Sequence, residues 1–244
     1  SMGVTTGKWY WEIRCTGATA SGPVVGWLNE LHNSGGSHGS SPGYSSPSSP
    51  SGAQMVLMYM VKSPPEILKD APATESSGAD IDDTAIAQND IIGIAADYDN
   101  DKWYFSKNGS FTDIRSGQNP ATGANPCCSA TGGGGLATFA RGANLTWFPT
   151  YGNWSASGKD SVANFGQDST FEGGVSAGGN ADENGFGDFK YTVPTGFLAM
   201  CSANAPIASG LDPAETTTDD PISQFNVVTW TGNGGTQNIT GVGF

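Results

Sequence analysis

The chain has 244 residues, a formal net charge of −13, 36% hydrophobic and 10% aromatic content, and 36 glycines. That suits one large domain, or one domain with a smaller appendage, whose glycines punctuate many turns. Ten Lys and Arg against 23 Asp and Glu exclude a phosphate-neutralising nucleic-acid surface and docking on an anionic membrane.

No apolar run approaches the ~18 residues of a bilayer span. No basic segment followed by an apolar core opens the chain, so no signal peptide is expected. Residues 7–17, GKWYWEIRCTG, alternate cleanly, with Trp9, Trp11, Ile13 and Cys15 on one face and Lys8, Tyr10, Glu12 and Arg14 on the other. The pattern predicts a half-buried strand with its aromatic side inward. A second short strand follows at 24–28. Residues 33–53 are low-complexity Ser, Gly and Pro and predict a long loop.

Residues 55–61, MVLMYMV, are apolar on both faces and predict a central strand that Pro64-Pro65 ends. Ile67-Leu68 predicts a short edge piece, and 75–83 an acidic loop. The stretch 89–110, NDIIGIAADYDNDKWYFSKNGS, is the most informative in the chain. Residues 91–96 are apolar on both faces, Asp99, Asn100 and Asp101 supply turn chemistry, and Trp103 and Phe105 oppose Tyr104 on the next strand. Asn108-Gly109 then signals a type I′ hairpin, so three strands in tandem are predicted.

A Gly-rich connection is predicted over 116–144, strands at 145–151 and 161–165, a third Gly, Asn and acidic loop over 173–187, and an apolar strand within 188–202. Nothing longer than about ten residues carries a helical period with start and stop signals. An all-β, two-sheet antiparallel sandwich with long Gly/Ser-rich loops follows, occupying 3–205. Residues 206–224 read as a linker, and 225–244 as a hairpin around Asn233-Gly234-Gly235. A hairpin alone is barely stable in water and needs a partner surface.

Candidate chemistry is sparse. His32 and His38 flank or lie in the 33–53 loop, where no rigid support holds a base against a nucleophile. A superficial phosphate loop at 152–159 has the wrong spacing, and Asp160 stands where a hydroxyl is required. Asp97, Asp99 and Asp101 read as turn caps rather than a glycosidase pair. ADIDD (79–83) and NADEN (180–184) offer oxygen ligands for Ca2+ but no EF-hand pattern, so no cofactor is expected. The four cysteines, Cys15, Cys127, Cys128 and Cys201, lack C-x-x-C spacing; a Cys15–Cys201 bridge is conceivable, and Cys127 and Cys128 read as free thiols. For ligand contact, exposed aromatics beside amides and acids single out Tyr44, Tyr151, Trp154, Asp182 and Glu183.

The series GKWYWEI, VVGW, NDIIGIAADYDNDKWYFSKNGS, FPTYGNW, VANFGQ and YTVPTGF, in that order, resembles a SPRY (B30.2-like) domain over about residues 3–203. Asn89-Asp90 stands where that family has Gly-Asp. NFGQDSTF, NADENGFGDF, YTVPTGFLAMCSANAP and TWTGNGGTQNITGVGF further resemble SPRY-containing proteins of tailed bacteriophages, especially marine ones. The resemblance implies a bent concanavalin-like sandwich that binds through loops at one end and performs no catalysis. It implies a virion-surface location in fibres or decorations, and other virion subunits or a host-surface glycan or protein as partners. A sandwich glycosidase, lyase or carbohydrate-binding module, or a cellular SPRY adaptor for peptides, is the alternative. Relatives usually carry one or two strands before GKWYWE, so the 225–244 hairpin is expected to fill that position, within the chain or from a neighbouring copy.

Overall fold

The computed structural model describes residues 3–16, 23–30, 55–59, 66–69, 74–76, 86–130, 137–139, 145–153, 161–204, 229–238 and 240, with backbone alone for 23, 55–59, 66–69, 74–76, 130, 137–139 and 153. The chain divides into two compact units, Ser1–Asn204 and Ala205–Phe244. The first is all-β among the described residues, apart from two single 3-10 turns, and holds two sheets. No helix among the described residues is long and apolar enough to cross a membrane.

The strands, in chain order, are β1 Lys8–Cys15, β2 Pro23–Asn29, β3 Met55–Tyr59, β4 Glu66–Lys69, β5 Thr74–Ser76, β6 Ile91–Asp97, β7 Lys102–Lys107, β8 Cys128–Ala130, β9 Ala137–Phe139, β10 Trp147–Asn153, β11 Ser161–Asn164 and β12 Leu198–Ala199. The larger sheet runs β11-β1-β6-β7-β8-β9, with β12 also paired to β1, and the smaller runs β10-β2-β3-β4-β5. Between them packs a core rich in tryptophan. Trp11 meets Trp27 edge-on at 6.4 Å, Trp27 meets Tyr98 at 5.4 Å, Tyr98 meets Trp103 at 5.8 Å, and Trp103 meets Trp147 at 5.8 Å. Each pair adds about 0.5–1.5 kcal/mol beyond the area it buries, so this chain of rings fixes how the sheets sit.

β6 is buried along its whole length, as a strand apolar on both faces requires. The turn joining it to β7 carries positive φ at Asp101 (51°), and the β7 hairpin turn has positive φ at both Asn108 (49°) and Gly109 (84°). Lys107 and Ser110 exchange main-chain bonds across that turn, at 3.0 and 2.9 Å. Asn89 also adopts a left-handed φ of 73°, which its short side chain tolerates.

The predicted third strand of the meander does not form. After Ser110 the chain turns at Phe111–Arg115, and the strand position is taken by a side chain. The Gln118 amide accepts from Phe105 N (3.1 Å) and donates to Phe105 O (2.8 Å), as a neighbouring strand would. The predicted 116–144 connection contains β8 and β9, and β5 makes β4 an interior strand rather than an edge.

The prediction for β1 is also corrected. Tyr10 and Glu12, assigned to solvent, are 1% and 0% exposed. A third layer, made by the chain from Asn164 to Asn204, covers that face of the larger sheet. Phe189, Val193, Phe197 and Ala199 pack on Tyr10, Ala95 and Tyr104 there. Most of 188–202 is turn rather than strand: Phe197 N donates to Pro194 O (3.0 Å) across Gly196, whose φ is 83°, and only the two residues of β12 pair with β1. Proline before a left-handed glycine stops a ladder.

All four cysteines are free, so Cys15 and Cys201 are not bridged. Burial, with Asp90 adding, pushes the Cys15 thiol to about 12, and burial likewise holds Cys127 at about 12 against the Phe105 main chain and Arg115. A thiol reagent at about pH 8 is therefore expected to modify only Cys201 in the native protein, since Cys128 is buried too, and all four after denaturation. Fast native modification of three or four thiols would contradict this packing.

In the second unit, residues 229–238 and 240 contain no strand. Gly234 and Gly235 form a bend, with Gly235 N on Asn233 Oδ1 at 3.0 Å, and Trp230 is exposed. The expected hairpin pairing is thus absent over 229–238, while its flanks, and the 206–224 linker, lie outside the described residues.

Candidate functional site

The third layer is built on Asn164, the first residue of NFGQ. Its Oδ1 accepts from Gly166 N (2.8 Å) and Asp168 N (3.2 Å), and its Nδ2 donates to Asp188 O (2.8 Å). Phe165 stacks on Trp11 at 5.2 Å, pinning the motif to the core. Gln167 reaches back to β11, donating to Ala163 O (2.7 Å) and accepting from Phe165 N (2.6 Å). Asp168 then caps the next turn: its Oδ1 takes Thr170 N and Oγ1 (2.8 and 2.6 Å), and its Oδ2 takes Glu172 N (2.8 Å). The Thr170 hydroxyl, then the Glu172 and Thr170 amides, hold its carboxyl pKa below the usual 3.8. This cap holds Phe171 and Glu172 at φ of 51° and 61°, dihedrals that cost a non-glycine residue about 1–2 kcal/mol.

Downstream, Asp182 locks a second turn. Its Oδ1 accepts from Asn184 N (3.0 Å) and Phe186 N (2.9 Å), and its Oδ2 from Ala199 N (2.9 Å) and Asn204 Nδ2 (2.6 Å). Four bonds fill the ordinary accepting capacity of a carboxylate. Burial pushes this carboxyl up, but the four donors outweigh it and leave it below the usual 3.8. Gly185, at φ 80°, closes the turn by donating to Asp182 O (3.0 Å), and Asp182 N donates to Phe186 O (2.9 Å). The outcome is a rigid tip on which Phe186 is 40% exposed, next to exposed Glu183, Asn184 and Gly185.

Asp182→Ala is expected to lower stability by about 2 kcal/mol, because two or more sheltered amides lose their acceptor. Since the carboxyl is lowered on folding, its contribution is present above 3.8 and lost as pH falls through the folded value. Denaturant midpoints of the two proteins should therefore converge in acid; a constant gap would contradict it.

A groove of about 570 Å³ runs beside β11, lined by residues 161–163 of that strand and by Gln167, Asp168, Phe171 and Glu172. Of the ligand residues predicted from sequence, Asp182 and Glu183 share the Phe186 turn, with Asp182 committed to it and Glu183 free at the surface. Tyr151 stands on β10 of the other sheet, 36% exposed. Tyr44 and Trp154 lie outside the described residues, as do His32, His38 and the ADIDD acids. Asp97 is a turn cap, as predicted: it accepts from Asp99 N, Asn100 N and Asn100 Nδ2, and pairs with Lys8 at 3.1 Å. Asp99 accepts from Gly7 N at 2.8 Å, tying the start of β1 to the same turn. Among the described residues no three His, Cys, Asp or Glu side chains gather as metal ligands. Sequence reasoning passed over Phe186 and Gln167. An aromatic flanked by glycines in an acidic loop, GFG at 185–187, was the available signal for the first.

The fold defines a class: a two-sheet sandwich with a turn-rich layer displaying loops, a frame for binding. The chain matches the SPRY domain family over residues 8–142, more than half its length, and belongs to that family. It is also similar to the solved SPRY domain of human HERC1, at 15% identity and a TM-score of 0.39, over 67% of this chain and 77% of that one. No curated protein matches the chain.

Proposed function

We propose that this SPRY chain is a non-enzymatic attachment module of a bacteriophage virion, facing outward on a fibre or decoration. The observation that carries the binding half is the Asp182-locked turn, which holds Phe186 in water beside Glu183 and Asn184. Keeping an aromatic ring exposed forgoes roughly 1 kcal/mol or more of burial, and a rigid support removes the ordering cost of using it. An apolar ring next to an acid and an amide suits a sugar face with its hydroxyls, or a protein loop. The virion half rests on the order and wording of the NFGQDSTF, NADENGFGDF and C-terminal motifs. Residues 225–244 belong to the same reading as a self-association element, for which the mass of the full chain in solution is the direct test.

Antibody raised against the purified chain is expected to decorate intact particles, and the soluble chain to compete with them for host cells. Phe186→Ser is expected to remove most of that competition while leaving the unfolding free energy within about 0.5 kcal/mol, the usual range for a surface change. Particles that carry none of the chain would contradict the virion reading and favour a cellular SPRY adaptor. Full competition by the Phe186→Ser protein would displace the binding role from this turn.

A further inference from the structure

Sheet edges present unpaired main-chain N–H and C=O groups, and proteins blunt them individually. On β10, Trp147 exchanges main-chain bonds with Val4 on the outer side, which puts Pro149 next in line on that edge, with no N–H to offer. On β7, the amide of Gln118, 3% exposed, takes both main-chain groups of Phe105. β11 ends the larger sheet among the described residues and has a weaker guard. Ala163 O turns to Gln167 rather than to β1, so by alternation Val162 and Asn164 face β1 while Ser161 and Ala163 face outward. Gln167 copies the Gln118 device, yet its side chain is exposed, and water can take its place.

Two more features lie at this edge. Ser161 Oγ is sheltered from water and has no hydrogen-bond partner. The groove alongside carries Asp168 and Glu172 on a chain of net charge −13. Arg14, across from Val162, donates to Asn89 Oδ1 at 2.7 Å, and its guanidinium also lies against Gly174, so the groove's acids Asp168 and Glu172 have one cation near their turn. A second copy of this edge would bring the same acids together, and like charges across paired strands are unfavourable.

We infer that β11 is a docking edge for an extended, basic segment of a partner protein. The segment adds a strand to the larger sheet through Ser161 and Ala163, sets Lys or Arg side chains against Asp168 and Glu172, and displaces the Gln167 amide. This site is separate from the Phe186 turn and does not depend on the virion reading.

The test uses the full chain, labelled for amide detection, and an eight-residue blocked peptide alternating lysine with valine or threonine. The expected result is protection of the Ser161 and Ala163 amides, with affinity falling as salt rises. The same peptide with glutamate for lysine, or with N-methyl groups on its edge-facing amides, is expected not to bind. Gln167→Ala removes the guard without touching the β1–β11 ladder and should tighten binding about fivefold, the worth of roughly one net hydrogen bond. Four results would overturn the inference: no protection along β11 at millimolar peptide, equal binding of the N-methylated or acidic peptide, unchanged affinity of the Gln167→Ala protein, or β11 protected by self-pairing of the chain alone.

Discussion

Glu12→Ala is expected to lower the unfolding temperature by about 8–16 °C, from a loss on the order of 4 kcal/mol in a chain of this size. The Glu12 carboxylate is 0% exposed and joins β1 to the third layer: Oε2 accepts from Lys190 N (2.9 Å), and Oε1 from Tyr191 N (2.9 Å) and Tyr10 Oη (3.0 Å). Alanine orphans three sheltered donors at once, each costing about 1–3 kcal/mol. Glu12→Gln keeps the shape and one accepting oxygen but points an N–H at a donor, so it should lose about half as much.

The pH dependence separates these variants further. Burial raises the Glu12 carboxyl above the ordinary 4.5, against the opposing pull of the Lys190 and Tyr191 amides, Tyr10 and Asn164. The folded state thus holds this proton more tightly than the unfolded state does. Its contribution is full below 4.5 and is lost as pH rises through the raised folded value. Native stability should decline across that window, and the Glu12→Gln protein should lack that component. Identical slopes in the two proteins would contradict the assignment. Asp168 and Asp182 titrate on the other side, below 3.8, and do not overlap it.

The second large effect is expected at Gln118. Gln118→Ala should cost about 3 kcal/mol, because Phe105 N, Phe105 O and Phe111 O all lose their partner inside the protein. A distinctive sign accompanies it. The Cys127 thiol donates to Gln118 Oε1 at 3.2 Å, so opening this clamp should make Cys127 reactive to a thiol reagent that ignores it in the native protein. Gln118→Glu keeps the size but turns a carboxylate toward two carbonyl oxygens, and should be no better than alanine. A loss under about 0.5 kcal/mol with Cys127 still protected would show that the clamp does not support β7.

Much of the sandwich was legible because its signals are local. Alternation of Trp9, Trp11 and Ile13, the apolar run of β6 and the Asn108-Gly109 turn each act within a few residues. What escaped depends on distant partners. Glu12 looks like a solvent-facing acid until Lys190 and Tyr191, 178 and 179 residues on, deliver their amides to it. Gln118 looks like a loop residue until its amide stands in for a strand. The 188–202 segment is apolar because it covers the larger sheet as a string of turns, and apolarity without period does not separate a covering loop from a strand. Asp182 was singled out for ligand contact; its residue type was a sound cue, but carboxylates in Gly- and Asn-rich loops are also what turns need. Phe186 went unnoticed because only the locked turn reveals which way its ring faces.

The central claim is that a rigid third layer, bolted to the larger sheet through Glu12 and NFGQ, displays one turn and leaves β11 without an outer strand partner among the described residues. Native-state hydrogen exchange across 161–204 tests it most directly. The amides of Lys190, Tyr191, Ala199 and Phe186 should exchange slowly, close to the rate of β6, while those of Ser161 and Ala163 exchange fast. Uniformly rapid exchange from 164 to 204, as in a free chain, would contradict it.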